Sequence, residues 1–390
     1  MRSVAQRIQS FEDAEILARR RLPRSLYEMI RQGSGQETTL RANLAAFEQI
    51  KFRPRAAVHF PEVDTSGTIL GHPVEFPVMI APTGRLRTQH SSGEPGMARA
   101  AGRAGVIHIV SCFTGYPIEE VTAAATGPVF FNLYLAGGRE NAEEMIERAA
   151  KAGCGALVIT VDWAAAQQKE TSIRDRVDKP VGVDLRSMLR FSPQLAPRPG
   201  WTLDFVRDGI QFETPMWLHA DGTPTQWWEM SESIVQNVPV WEDLGWIREL
   251  WSGPIVLKGL MAPEDARRAI DAGVEAIVVS NHGGRALDGA PATMTVLPEM
   301  LAAVDGRMEV FVDGGIRRGS DVVRALAMGA NGCLMGRAMT FSHAAAGEEG
   351  AYQMLTLVKR GIELTLGSLG CSSVSQLDRG YLYDVPPAVV

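Results

Sequence analysis

The sequence predicts an α/β protein built as a TIM (β/α)8 barrel, with an N-terminal helical cap and a long insertion after the fourth strand. Two observations carry this. From Val78 onward, short apolar runs alternate with amphipathic helical stretches, the signature of parallel βαβ units, and the runs number eight. A polar residue follows almost every run, which is where barrels of this kind build their sites.

The strand candidates are Val78–Ala81, Val106–Val110, Val129–Leu133, Ala156–Val161, Ile255–Lys258, Ala276–Ser280, Val310–Asp313 and Gly332–Met335. Helix patterns between them include Asn141–Ala152, Pro263–Ala272 and Ser320–Met328, with Pro263 suited to a first turn and Ser320 to an N-cap. Gly153, Gly273 and Gly329 follow three of these helices, where a left-handed residue would stop the helix and feed the next strand.

The rhythm breaks between about Trp163 and Val240, a segment rich in Pro, Trp and Arg that is far longer than an ordinary βα connection. It is expected to be a lid or recognition insertion, with an oligomer contact as the alternative. Residues 1–75 read as helices followed by the extended Phe52-Arg53-Pro54-Arg55, a cap packed on the barrel. The barrel itself takes residues 76–377 and a tail residues 378–390.

Composition excludes several classes. The net charge of -6 and the lack of a Lys/Arg block argue against nucleic acid. Arg19-Arg20-Arg21 is expected to be a solvated helix end. No apolar h-region opens the chain and no run is long enough to span a membrane, so a cytoplasmic protein is expected. Cys112, Cys154, Cys333 and Cys371 lack CxxC spacing, and neither a disulfide framework nor a metal site is indicated.

The residues after the strands form a ring: Pro82-Thr83-Gly84, Ser111, Asn132 with Tyr134, Thr160 with Asp162, Lys258, Ser280 to Arg285, Asp313 to Arg317, and Gly336-Arg337. The last two clusters suit a phosphate, because glycines let backbone N–H groups approach an anion and arginines add charge-assisted bonds. His282 sits in a Gly-flanked loop where an imidazole can take a proton. Asp162, two strands away, can orient that ring and stabilise the imidazolium. Lys258 ends an apolar strand and needs an anionic partner if buried.

Together these stretches, above all Ser280–Asp288 (SNHGGRALD), then Asp313–Gly319 (DGGIRRG) and Gly336-Arg337, resemble the FMN-dependent 2-hydroxy-acid oxidases and dehydrogenases, from about Leu22 to Leu377. The resemblance implies FMN as cofactor and His282 as base, Asp162 as its partner and Arg285 as the substrate-carboxylate anchor. Tyr134 would bond the substrate. Lys258 would face the flavin N1 and C2 oxygen region, with Pro82, Thr83, Gly84, Ser111, Asn132, Thr160 and Ser280 around the ring and ribityl chain. Asp313, Gly314, Gly315, Arg317, Gly336 and Arg337 would hold the ribityl end and phosphate. The implied chemistry turns a 2-hydroxy acid into a 2-oxo acid, with hydride equivalents reaching flavin N5.

Three positions depart from the family pattern. Met29 stands where a substrate-binding tyrosine is expected, Lys169 replaces an arginine that could grip a carboxylate bidentately, and Asn132 replaces a glutamine beside the flavin. The altered N-terminal motif and Asp162-Trp163 also resemble the mycofactocin-biosynthesis branch, which implies an amine or peptide-derived substrate as the alternative. A flavin-binding scaffold without turnover and a phosphate-binding isomerase or aldolase are further alternatives. No haem domain precedes the barrel, so electrons are expected to leave through oxygen, a quinone or a separate carrier. The resemblance suggests a homotetramer.

Overall fold

A computed structural model describes residues 2–165, 170, 192–219 and 221–383. All eight predicted strands form, and they close one parallel barrel: β1 Val78–Ile80, β2 Ile107–Ser111, β3 Val129–Leu133, β4 Leu157–Thr160, β5 Ile255–Leu260, β6 Ala276–Val279, β7 Glu309–Val312 and β8 Gly332–Met335. β8 pairs with β1 through Cys333–Val78, Leu334–Met79 and Met335–Ile80, which completes the ring and leaves no open edge.

Strand alternation decides what fills the barrel. Met79, Ile109, Phe130, Val158, Val256, Val278, Phe311 and Leu334 pack with one another inside it, all buried. The residues between them, such as Val78, Val110, Phe131, Leu157 and Val279, join the cluster under the surrounding helices. Both faces of each strand are therefore apolar, as parallel barrels require. The hairpin Gly67–Ile69/His72–Val74 closes the lower end by adding Ile69 and Val74 to the interior cluster.

The helix stops follow expectation: Gly153, Gly273 and Gly329 have φ of 79°, 71° and 118°. One cap does not. The helix Gly319–Met328 begins a residue earlier than expected, with Arg318 as N-cap. Ser320 lies inside the first turn, and the carboxylate of Asp321 accepts the backbone N–H groups of Arg317 and Arg318 at 3.0 Å each.

The N-terminal region supplies helices α1 Phe11–Arg21, α2 Arg24–Arg31 and α3 Thr38–Gln49, followed by Lys51–Phe52, which pairs with Leu382–Tyr383. The arginine run does end α1, but it is not simply solvated. Arg21 is ion-paired to Asp204 of the insertion at 2.6 Å.

The described part of the insertion contains the helix Pro199–Arg207, an antiparallel pair Glu213–Leu218/Pro224–Gln226 and the helix Trp227–Gln236. It docks on the segment after β1: Arg87 pairs with Asp208 at 2.7 Å, and Trp201 Nε1 donates to the Thr88 carbonyl at 3.0 Å. The four cysteines are buried and free. Among the described residues, no helix is long and apolar enough to cross a membrane.

Candidate active site

Two residues past each interior apolar residue, the same alternation points a second layer into the barrel mouth. That layer is Ala81, Ser111, Asn132, Thr160, Lys258, Ser280, Asp313 and Gly336. Its polar members are almost fully buried. Lys258 Nζ lies 3.0 Å from Ser280 Oγ and 3.3 Å from Asp313 Oδ2. Burial works to lower its pKa, but the carboxylates of Asp313 and Asp162 overcome this, and the ammonium is held above its ordinary value. The sequence pointed to an anion from the cofactor as its partner; the protein supplies Asp313 itself.

Several polar atoms of this mouth are buried without a protein partner: Asn132 Oδ1, Thr83 Oγ1, Asp313 Oδ1 and Arg317 Nε. Asn132 is oriented by its amide nitrogen, which donates to the Val158 carbonyl at 2.9 Å and to Thr160 Oγ1 at 2.7 Å. Its oxygen is thereby left as an acceptor. Buried donors and acceptors of this kind are costly unless a ligand satisfies them, and here they include both types.

The rim is cationic. Arg337 donates to the carbonyls of Gly283, Gln32 and Ile30 at 2.8, 2.9 and 3.0 Å. Burial, then the charges of Arg285 and Arg317, push its pKa well below the arginine range. Burial lowers Arg317 to about 10. Gly314 and Gly315 turn the β7 loop at φ of 86° and 102°, and a Cβ on Gly315 would stand 2.5 Å from the Asn43 carbonyl oxygen. Three arginines with too little countercharge favour an anion.

His282 occupies the next loop with φ 58°, ahead of Gly283 at 64° and Gly284 at 74°. Three left-handed residues in succession turn the imidazole back over the barrel, where its Nδ1 lies 2.9 Å from Asp162 Oδ1. Its backbone N–H donates to Ser280 Oγ at 3.1 Å. Trp163 packs on the ring with centroids 4.7 Å apart. Burial is the largest influence on His282 and lowers its pKa, with Lys258 and Arg285 adding to that and Asp162 opposing. For Asp162, burial works upward, but His282 and Lys258 outweigh it and the carboxylate stays ionised. Tyr134 has its phenol pKa raised by burial and by the charge of Asp162, so it remains a donor.

Arg285 is tied to the N-terminal region. Its Nη1 donates to the carbonyls of Met29 at 2.8 Å and Gln32 at 3.2 Å. Ser34 Oγ donates to the Arg285 carbonyl. Asp288 accepts from Thr38 Oγ1 at 2.6 Å, Gln36 N at 2.8 Å and Thr39 N at 3.0 Å. Asn43 and Asn281 exchange amide bonds of 2.8 and 2.9 Å. These contacts explain why the SNHGGRALD stretch carries so many polar residues: most of them fasten α2 and α3 to the mouth.

The structure thus brings together His282, Asp162, Tyr134, Lys258 and Arg285, as well as the ring of strand-end residues. Met29 contributes its carbonyl to Arg285. Lys169 lies outside the described residues. Sequence reasoning missed Phe113, whose ring meets Tyr134 edge-on at 5.5 Å. It passed over the Asn43–Asn281 pair because Asn281 follows a strand but its partner Asn43 lies 238 residues earlier, in α3, with nothing local to join them. Among the described residues, no group of three or more His, Cys, Asp or Glu side chains is placed to hold a metal ion.

Unsatisfied buried acceptors and donors beside a cationic rim fit a polar, anionic group much larger than a metal ion, and the imidazole–carboxylate pair next to it fits proton abstraction. That is the design of a cofactor-dependent barrel oxidoreductase. The family follows from comparison with known proteins: residues 18–384 match the model of FMN-dependent dehydrogenases, and the chain belongs to that family. Its cofactor is FMN. The chain is 40% identical over 367 residues to a pre-mycofactocin synthase of Mycobacterium tuberculosis, covering 93% of this chain and 91% of that protein. It is 35% identical over 375 residues to a peroxisomal (S)-2-hydroxyacid oxidase of Arabidopsis thaliana, covering 96% of each. Among solved structures, the monotopic membrane protein (S)-mandelate dehydrogenase superposes with a TM-score of 0.89 at 32% identity, over 97% of this chain and 100% of that one.

Proposed function

We propose that this protein dehydrogenates the carbon beside the carboxylate of a 2-hydroxy acid, giving the 2-oxo acid. The observation that carries the reading is the 2.9 Å contact between His282 and Asp162 at a mouth that also holds Arg285. With Nδ1 donating to Asp162, the neutral ring has its lone pair on Nε2, the atom that takes the substrate proton. Asp162, kept ionised, stabilises the imidazolium that results.

Arg285 holds the carboxylate, Tyr134 donates to the substrate, and Met29 leaves one tyrosine contact of the family unmade. Lys169 would be a further, non-planar carboxylate contact. FMN, when bound, supplies the acceptor for the hydride equivalent. Lys258, Ser280, Asn132, Thr160, Ser111, Pro82, Thr83 and Gly84 would surround its ring. Asp313, Gly314, Gly315, Arg317, Gly336 and Arg337 would take its ribityl and phosphate end.

A second reading, oxidation of a peptide-derived amine, rests on the 40% identity to pre-mycofactocin synthases together with Met29. Anaerobic addition of 2-hydroxy acids and of amines to the yellow protein separates the two. Loss of flavin colour with a 2-hydroxy acid, abolished in His282→Ala, is the expected result; loss of colour with amines alone would overturn it. A cytoplasmic homotetramer is part of the reading, checked by light scattering and by cell fractionation against membrane association of the kind named for the mandelate dehydrogenase.

A further inference from the structure

Trp163 has no part in the proton transfer assigned above, yet it lies against the group that performs it. Its indole meets the His282 imidazole with centroids 4.7 Å apart and planes tilted by 54°. The residue directly before it, Asp162, holds Nδ1 of the same ring at 2.9 Å. Two consecutive residues of the loop after β4 thus grip one imidazole, the first by its polar edge and the second by aromatic contact.

The need for a second contact follows from what one hydrogen bond can fix. The Nδ1–Oδ1 bond sets a distance and a tautomer, but the ring can still tilt about the line joining the two atoms. Tilting swings Nε2 away from its target, and small misplacements of a reacting group are costly. The backbone does not settle the matter: His282 has φ 58°, a left-handed conformation that a residue with a side chain keeps only when its surroundings enforce it.

The indole is well anchored for this task. The Val161 N–H donates to the Lys258 carbonyl at 2.9 Å, so β4 stays tied to β5 up to the residue before Asp162. Asp162 then crosses Gly259, where a Cβ would stand 2.5 Å from its own. Trp163 follows, half-buried, against the apolar cluster beneath the helices. The His282 side chain keeps 20% of its surface open, against 8% for Asp162, so the contact steadies the ring without sealing it.

An indole also suits the charge that the ring acquires. Lys258 shares the Ser280 hydroxyl with the His282 backbone, at 3.0 and 3.1 Å, and with Arg285 it acts on the ring as like charge; Asp162 opposes both. An aromatic ring within about 6 Å attracts a cation through its quadrupole while carrying no net charge. It favours the imidazolium without placing a second carboxylate beside an anionic substrate.

We propose that Trp163 is a positioning residue for the base: its indole fixes the tilt of the His282 ring and favours the imidazolium that forms when Nε2 takes the substrate proton. The inference rests on His282 being that base, and it holds for a 2-hydroxy acid or an amine as substrate.

Trp163→Phe and Trp163→Leu, two side chains of comparable size, separate aromatic contact from bulk. Ring-nitrogen NMR shifts of the FMN-loaded protein without substrate, assigned with His282→Gln, give the titration midpoint of His282. It is expected about half a pH unit lower in Trp163→Leu than in Trp163→Phe. Anaerobic stopped-flow uses the 2-hydroxy acid or amine that bleaches the parent. Flavin reduction is expected within about threefold of the parent for Phe and about 10-fold or more slower for Leu, with substrate affinity within about twofold in both. Flavin content is expected to stay at one per chain.

A midpoint in the Leu variant equal to or above that in the Phe variant would overturn the proposal, as would equal reduction rates in the two. Loss of flavin would place Trp163 on the cofactor, and weaker substrate binding at the parental rate would place it on the substrate; each overturns a positioning role. If His282→Ala reduces the flavin at the parental rate, the base reading fails and this inference with it. If His282→Ala is inactive while the Phe and Leu variants behave alike, only this inference fails.

Discussion

Asp162 reaches His282 by leaning over Gly259: the two side chains meet at 2.9 Å although β4 and β6 are separated by β5. A Cβ on Gly259, which has φ 116°, would lie 2.5 Å from the Cβ of Asp162. The β5–β6 register shifts between Lys258 and Leu260, so the strand bulges where the carboxylate crosses it. The pair orients the ring and fixes its tautomer. Asp162→Asn is therefore expected to slow flavin reduction by about 100-fold or more while flavin binding persists, measured by anaerobic stopped-flow. Unchanged reduction would remove Asp162 from the mechanism.

The pH profile follows from the direction of the His282 shift. Burial holds its pKa below 6.5, so the neutral base is present through neutral pH, and the reduction rate is expected to fall only as pH drops through the lowered value. Lys258 is one of the cations that lower it. In Lys258→Met the acidic limb is expected to move up toward neutrality, read as reduction rate against pH. An immobile limb, or one that moves down, would contradict the electrostatic assignment.

Much of this is legible in the residue order alone because barrel geometry turns sequence order into position. Eight apolar runs mark the strands to within about two residues at each end, a normal uncertainty for element boundaries. Alternation places Asn132, Thr160, Lys258, Ser280 and Asp313 at the mouth. What stays hidden depends on contacts between distant segments. Nothing local in Lys258 or Asp313 says that they pair, since fifty-odd residues and two helices separate them. The Ser320 cap fails for a local reason: Asp321 accepts the N–H groups of Arg317 and Arg318 and sets the helix start at Gly319, so Ser320 falls inside the first turn instead of before it.

Behind the barrel, the buried His108 and His343 and the half-buried His90 form a second group of imidazoles. Ser92 Oγ lies 3.0 Å from both His90 Nδ1 and His343 Nε2, and both ring nitrogens of His108 lack partners. Burial lowers His90 to about 4 and His108 to about 3, and it lowers His343 strongly as well. Above pH 6.5 these rings are neutral in both folded and unfolded chains. As pH falls below 6.5 only the unfolded chain takes up protons, and each histidine costs roughly 1.4 kcal/mol of stability per pH unit until its lowered pKa is reached. The melting temperature is expected to drop steeply between pH 7 and 5, and less steeply in His108→Leu, which removes one titrating ring. Equal drops in the two proteins would contradict this.

Two glycines offer a matched test of whether space or backbone freedom explains their presence. Gly245 lies exposed inside the helix Asp243–Leu250, with nothing within 4 Å of the place a methyl group would take and no left-handed φ. Gly245→Ala is expected to stabilise the protein by about 0.5–1 kcal/mol, because alanine loses less backbone freedom on folding. Gly259→Ala adds the same methyl at φ 116° against Asp162. It is expected to destabilise by about 1–3 kcal/mol and, by pushing Asp162 off His282, to slow flavin reduction as well. Chemical denaturation and stopped-flow on the two variants check both halves. Gly259→Ala with parental activity would mean that the β5 bulge yields without moving the carboxylate, and the positioning role assigned to that glycine would be withdrawn.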